Sequence, residues 1–253
     1  MAFKNKVALV TGSGGGIGEA TVKIFAKEGA NVVIVDKNEE RTKNTAEVCK
    51  EFGKKVLVIT ADVTKNEEVE YIIKQTIDAF GRLDFLINNA GILGQPSSIL
   101  QGTILDQYDH IMNTNLRSIV VMTTLCAPHL VGTKGCIVNI SSVASTDVRC
   151  GKSFPACCVS KTGLDSFTRL SALELAPSGV RVNSVNPGPV RTNLMLDSGI
   201  SGDWDKIGEK TALGKCAEPA EVGDFIVYLC SDKAKSITGA IYVIDNGMAL
   251  INH

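Results

Sequence analysis

Val7-Ala8-Leu9-Val10-Thr11-Gly12-Ser13-Gly14-Gly15-Gly16-Ile17-Gly18 is the stretch that decides the fold. A short apolar run ends in a glycine-rich turn, and the turn leads directly into a segment with helical spacing. Ile17, Thr21, Ile24 and Phe25 share one face of that segment, and Gly29 closes it. A buried strand before and an amphipathic helix after are what a phosphate-binding turn needs. Gly12 permits the tight turn, Gly16 lets backbone approach a pyrophosphate, and Gly18 allows close helix–strand packing. Gly12, Ser13, Gly16, Ile17 and Gly18 are therefore candidate phosphate contacts, helped by the unpaired N–H groups of the helix N-terminus. The spacing is not G-x-G-x-x-G, since position 17 is Ile and the next glycine is Gly18. Taken alone, the turn could also be a flexible glycine loop.

Outward from this turn the chain alternates. Apolar runs recur at Val7 to Val10, Asn31 to Val35, Lys55 to Thr60, Asp84 to Asn88, Cys136 to Ser141, Val180 to Val185 and Ala240 to Ile244. Unbroken runs of this kind suit parallel strands covered on both faces. Between them the spacing predicts a helix from about Asn66 to Phe80, opening at Asn66 with Glu67 and Glu68 and stopping at Gly81. A longer helix is expected from about Thr103 to Leu130, broken near its end by Pro128, and another over Pro155–Ala176. The alternation implies right-handed crossovers and one doubly wound α/β domain of the Rossmann type over residues 1–253, with a parallel sheet of about seven strands. The stretch 193–215 shows no strand pattern and reads as a lid inserted in that domain.

Asp36 ends the second run, 18 positions after Gly18. An acidic side chain there would accept hydrogen bonds from both hydroxyls of an adenosine ribose and repel a 2′-phosphate, which points to NAD over NADP. Lys37 beside it leaves some tolerance for the phosphate, and the alternative role for Asp36 is to end the strand in a turn.

Composition narrows the partners. A formal net charge of -1 gives no electrostatic reason to expect nucleic acid or an anionic membrane. Residues 1–6 run straight into a strand-like stretch, no apolar run looks long enough to span a bilayer, and the ending Ile251-Asn252-His253 is no address signal. A cytoplasmic protein with a small-molecule substrate is the expectation, with no nucleic-acid or membrane partner. The eight cysteines form no C-x-x-C pair, and the histidines are His110, His129 and His253, so no metal site is expected.

Several further motifs, in order, resemble the short-chain dehydrogenase/reductase family: Thr11-Gly12-x-x-x-Gly16-x-Gly18, Asp62-Val63, Asn88-Asn89-Ala90-Gly91, Asn115, Ile140-Ser141-Ser142, Lys161 and Pro187-Gly188-Pro189-Val190-Arg191-Thr192. The likeness runs from Lys6 to Gly247. It implies hydride transfer between NAD(P) and an alcohol or carbonyl. By the resemblance, Asp62 and Val63 hold the adenine, Asn89, Ala90 and Gly91 line the groove, and Pro187, Gly188, Val190 and Thr192 lie at the nicotinamide end. Asn115 would carry a proton-relay water, Ser142 would orient the substrate oxygen, and Lys161 would bind the nicotinamide ribose. Members of this size commonly form homotetramers or homodimers through the two long helices and the last strand, near Ile241–Ile244.

The family places a tyrosine, its general acid/base, four residues before the lysine; here that position is Cys157. The segment from Ser142 to Cys157 also looks a residue or two longer than usual. A thiol falls short of the substrate oxygen by about the depth of a phenol ring, and proton transfer needs contact of about 2.6–3.2 Å or a bridging water. Three readings follow: an oxidoreductase working slowly or through a water, an NAD-binding pseudoenzyme or silent subunit, or an active parent altered at this position. A thiol-nucleophile enzyme is a fourth. Lys161 and a cationic nicotinamide would favour thiolate at Cys157, whereas Cys158 should face elsewhere. Leu194, Met195, Leu196, Ile200, Trp204 and Ile207 suggest an apolar substrate, unless they only pack the lid down.

Overall fold

The opening run is strand β1 (Val7–Thr11), buried along its whole length, and the segment after the glycine turn is helix α1 (Gly16–Lys27). The structure is a computed structural model and describes residues 2–251. Met1, Asn252 and His253, which the sequence reading counts at the two ends, lie outside them. The chain continues through β2 (Asn31–Asp36), α2 (Glu39–Lys50), β3 (Val56–Thr60), α3 (Asn66–Phe80) and β4 (Phe85–Asn88). Next come α4 (Tyr108–Met112), a π-helical turn (Asn113–Arg117), α5 (Ser118–Thr133), β5 (Cys136–Ile140) and α6 (Pro155–Leu175). The last elements are β6 (Arg181–Pro187), α7 (Leu194–Asp197), α8 (Trp204–Gly208), α9 (Pro219–Cys230) and β7 (Ile241–Ile244).

All strand pairs are parallel, in the order β3-β2-β1-β4-β5-β6-β7. The order reverses between β1 and β4, which opens a crevice at the carboxyl ends of these strands. Side-chain alternation sends Ala8, Val10, Val32 and Ile34 to one face, where they meet Val22, Phe25, Val222 and Ile226 of α1 and α9. Val7, Leu9, Val33 and Val35 meet Val69, Ile72, Met122 and Leu130 of α3 and α5 on the other. At the far end of the sheet, buried Asp84 accepts the Val7 amide (2.9 Å) and pairs with Lys6 and Arg82.

Three details lie outside or differ from the sequence expectations. Helix α2 buries only Thr42, Thr45, Ala46 and Cys49, so it carries no apolar stripe to read. Helix α9 does carry a start signal, a capping box between Glu218 and Glu221 followed by Pro219. The helix expected over Thr103–Leu130 starts at Tyr108 and runs through Pro128 to Thr133, ending at Lys134 in the left-handed conformation (φ 52°). Pro128 costs one backbone bond without stopping it, because the buried residues Met122, Thr123, Cys126 and Leu130 keep the helix against the sheet. Helix α3 opens at Asn66 and ends at Phe80 before Gly81, as the spacing predicts, and Asn66 Oδ1 accepts from Arg117 (3.1 Å).

The expectation that no apolar stretch reaches membrane-spanning length is also corrected: the continuous helix over Tyr108–Thr133 is long and apolar enough. One side of it is buried here against β4, α3 and α6 and carries polar Thr114, Asn115, Ser118 and Thr123. Val190 and Ala217, on either side of segment 193–215, form a parallel bridge. The segment contains α7 and α8 and no strand.

Candidate functional site

The glycine turn adopts the geometry its spacing requires. Gly12 and Gly16 have φ of 63° and 55°, where a side chain is strained. A Cβ on Gly18 would lie 2.3 Å from the Gly12 carbonyl oxygen and 2.5 Å from Asn89 Nδ2. Gly15 occupies the N-cap of α1 and provides no side-chain cap, so the first amides of the helix, Gly16 to Gly18, keep their hydrogens for a ligand. Ser13 does not: its hydroxyl donates to Val10 O (2.8 Å) and accepts from Val35 N (3.0 Å), and its amide donates to Val35 O. It ties the turn to β2.

Asp36 accepts from the Gly14 amide (3.1 Å) and the Asn38 amide (3.0 Å). Its carboxylate and the Cβ of Arg41 stand over Gly14, both about where a Gly14 side chain would be, at 3.1 and 2.9 Å from that Cβ. Burial works against charge at Asp62. The amide and hydroxyl of Thr64, with Lys65 and Lys37, outweigh it and hold the carboxyl below its ordinary range. Val63 packs into the core beneath. Asn89 Nδ2 donates to Thr11 O and Gly12 O, both 2.9 Å, and the amides of Asn89 and Ala90 donate to the Thr11 hydroxyl (3.1 Å each). β1 and β4 are thus laced together under the groove.

At the other end of the groove Pro187 closes β6, and a Cβ on Gly188 would strike Asp245 at 2.7 Å. Val190 is buried, and Thr192 faces Gly16 so closely that a Cβ there would lie 2.9 Å from its methyl. The residues the resemblance assigns to one cofactor thus gather at the carboxyl ends of β1, β2, β3, β4 and β6.

Beside them lie Asn115, Ser142, Cys157 and Lys161. Asn115 sits in the π-helical turn, a distortion that often marks a functional position. Its Oδ1 accepts from Ile92 N (2.8 Å), and its Nδ2 donates to Ile92 O (2.9 Å) and reaches Ser160 Oγ at 3.3 Å. The side chain thus fastens the loop after β4. Ser142 Oγ accepts from Ala144 N (3.1 Å) and keeps its own proton to donate. Lys161 is buried and donates to Ile140 O (2.7 Å), leaving two ammonium hydrogens. Its Nζ approaches Gly91, where a Cβ would come within 3.5 Å.

Cys157 is one helical turn from Lys161 on the same face of α6, with Sγ 3.9 Å from both Ile92 O and Asn115 Nδ2. Without a nicotinamide beside it, the Cys157 thiol feels burial against the single charge of Lys161. Burial pushes the thiol above its ordinary pKa, and the attraction of Lys161 does not reverse this. Burial also lowers the Lys161 pKa, against smaller raising effects of Cys157 and Asp165. Cys158 faces elsewhere, donating to Gly151 O (3.2 Å), and burial pushes it up to about 11.

A buried polar group beneath the site has no counterpart in the sequence reading. Asp165, one turn beyond Lys161, accepts from Ser145 Oγ (2.6 Å), Asn186 Nδ2 (2.8 Å) and Ser184 Oγ (3.2 Å). Asn186 also donates to Ser145 Oγ (2.7 Å) and Ser142 O (3.2 Å), so the network holds the Ser142 turn in place. The i, i+4 spacing of Lys161 and Asp165 was the available signal. Across the groove Arg41 pairs with Asp197 of α7, and Gln95 donates to Ser198 O. Among the described residues no cluster of His, Cys, Asp and Glu could hold a metal ion.

The pattern of the enoyl-(acyl carrier protein) reductase group of this superfamily matches residues 12–249. The chain is 35% identical to meso-2,3-butanediol dehydrogenase of Serratia marcescens, over 98% of this chain and 96% of that one. A short-chain dehydrogenase/reductase of unknown function from Caenorhabditis elegans, solved with cofactor, superposes with a TM-score of 0.91 at 31% identity, covering 100% of this chain and 98% of that one. A 3-ketoacyl-(acyl-carrier-protein) reductase from Brucella melitensis, complexed with NADH, gives 0.87 at 30%, covering 98% and 99%. Family match, full-length similarity and shared fold agree: the chain belongs to the short-chain dehydrogenase/reductases, NAD(P)-dependent oxidoreductases.

Proposed function

We propose that this protein binds NAD(H) and interconverts a secondary alcohol and a carbonyl on an apolar small molecule, with the proton step limited by Cys157. The observation that carries the reading is the placement of Ser142, Cys157 and Lys161 beside the groove that starts at the glycine turn. NAD, when bound, supplies the hydride acceptor or its reduced form the donor. Gly12, Gly16, Ile17 and Gly18 would hold its phosphates through backbone, and Asp36 the adenosine ribose. Asp62 and Val63 would sit at the adenine, with Asn89 to Gly91 along the groove. Pro187, Gly188, Val190 and Thr192 would take the nicotinamide end, and the two remaining hydrogens of Lys161 its ribose. Ser142 donates to the substrate oxygen. Asn115 fixes the loop wall beside it.

Cys157 stands where the family carries its tyrosine. A water on the substrate side of Sγ would have to complete the proton path, and general acid/base help is worth ~10²–10⁴-fold. Segment 193–215 serves as the substrate lid, with Leu194 and Leu196 exposed on α7 and ready to be covered by an apolar substrate. Titration with NADH and NADPH, followed by turnover on a panel of secondary alcohols and ketones, tests the reading. Tight NADH binding with slow turnover supports it. Absence of binding to either nucleotide overturns it.

A second reading, an NAD-binding protein with little dehydrogenase activity, draws on the position of Cys157 Sγ against Ile92 O and on the burial that raises its pKa. Binding without turnover under any condition would favour it. In either case the chain forms a homotetramer or homodimer. Val159, Leu170 and Leu173 are exposed on one face of α6, and β7 leaves an open sheet edge with Val243 exposed. Light scattering at micromolar concentration should exceed the monomer mass.

A further inference from the structure

The adenosine end of the groove contains two cations and two carboxylates, and the pairing among them is specific. Arg41, in the first turn of α2, has its Cβ against Gly14 beside the Asp36 carboxylate. Its guanidinium does not pair with Asp36. It reaches across to Asp197, the last residue of α7, in a two-point contact: Nη1 to Oδ2 at 2.7 Å and Nη2 to Oδ1 at 2.8 Å. The partners are 156 positions apart in the chain and belong to opposite walls of the groove. Both are partly exposed, at 36% and 45%, so the pair contributes little to the stability of the fold. Its importance lies in where it puts the guanidinium.

A guanidinium at this wall would otherwise be placed to take a phosphate on the adenosine ribose, since its planar fork suits phosphate as well as carboxylate. We propose that Asp197 is a specificity-determining residue. By occupying Arg41 it withholds a cation from the 2′-position of the dinucleotide, and so works with Asp36 to favour NAD(H) over NADP(H). Asp197 acts through Arg41 and is a positioning residue. Lys37, whose charge also acts on Asp197, remains as a weaker, single-point cation. The same contact fastens α7 to the adenosine wall, so the segment that would cover the substrate and the wall that would choose the cofactor are joined by one ion pair. This inference rests on the dinucleotide reading given above.

Fluorescence titration of the purified protein with NADH and NADPH tests it, on wild type, Asp197→Asn, Asp197→Glu and the double variant Arg41→Gln/Asp197→Asn. Asp197→Asn frees the guanidinium and should shift the ratio of NADPH to NADH affinity by about tenfold toward NADPH, or ~1.4 kcal/mol. Asp197→Glu should keep the wild-type ratio. The double variant should lose the gain, because no guanidinium is left to collect the phosphate. A merely structural role for Asp197 would weaken both nucleotides together and leave the ratio unmoved. That result, or a gain that persists without Arg41, overturns the inference while leaving NADH binding intact. Wild type that binds neither nucleotide overturns the dinucleotide reading, and this inference with it.

Discussion

The groove along β1 and β2 and the reaction centre on α6 make opposite use of their residues. Along the groove the proposed cofactor contacts are backbone: two positive-φ glycines, a Gly18 whose Cβ would meet the Gly12 carbonyl, and first-turn helix amides without a side-chain cap. At the proposed reaction centre the chemistry depends on where single side-chain atoms end, and Cys157 Sγ ends 3.9 Å from Ile92 O. A backbone site tolerates drift at its surface residues and fails when a glycine changes. A side-chain site loses its chemistry in one substitution while its scaffold stands. Here Lys161, Asn115, Ser142 and the Asp165 network are all in place around a thiol.

The largest effect should come from restoring the phenol. Cys157→Tyr is expected to raise kcat by ~10²-fold or more and leave NADH affinity nearly unchanged, read from steady-state kinetics beside a binding titration. An active wild type that is indifferent to Cys157→Ala would instead put the proton donor elsewhere and break the contrast at its centre.

The groove should fail in the opposite way. Gly18→Ala puts a methyl 2.3 Å from the Gly12 carbonyl oxygen, so the turn must shift. NADH binding should weaken at least tenfold, with ~1–3 kcal/mol lost in urea unfolding from the overpacking. Unchanged binding would show that the turn is looser than the contrast requires.

Asp165→Ala tests the support under the reaction centre. It strips partners from Ser145, Asn186 and Ser184 at a buried position. The expected cost is ~1–3 kcal/mol in stability, together with a fall in kcat and little change in NADH affinity. A fall in NADH affinity as large as that in kcat would mean that the two regions are not separable.

The smallest effects are in pH. Burial lowers the Lys161 pKa below its unfolded value, so between the two values the folded chain binds fewer protons and stability rises with pH. Cys157 is raised, so above the ordinary thiol range the folded chain binds more protons and stability falls as pH rises. Urea midpoints from pH 7 to about 11 should lose the rising component in Lys161→Met and the falling one in Cys157→Ala. Iodoacetamide should modify Cys157 slowly at neutral pH, with a midpoint above that of a free thiol near 8.5. Fast labelling at pH 7 would mean that the thiolate forms after all.

Much of the molecule could be read from residue order. The strand runs, the glycine turn, Asp36 at the end of β2 and the motifs through Thr192 each carry local signals, because phosphate-binding backbone and buried parallel strands restrict which residues fit. Lys161, Ser142, Asn115 and the cysteine at the tyrosine position were assigned only through the family resemblance, not from spacing. Tertiary structure alone decided the rest. Ser13 turns inward because β2 passes beside it. Pro128 does not end α5 because buried neighbours hold the helix against the sheet. Burial raises the Cys157 pKa against the pull of one nearby ammonium, a balance of solvation that no spacing reveals. Arg41 finds Asp197 because the chain returns after 156 residues to the opposite wall of the same groove. Local sequence specifies the geometry a segment adopts by itself, whereas a charge's partner and a thiol's proton depend on what the fold brings next to it.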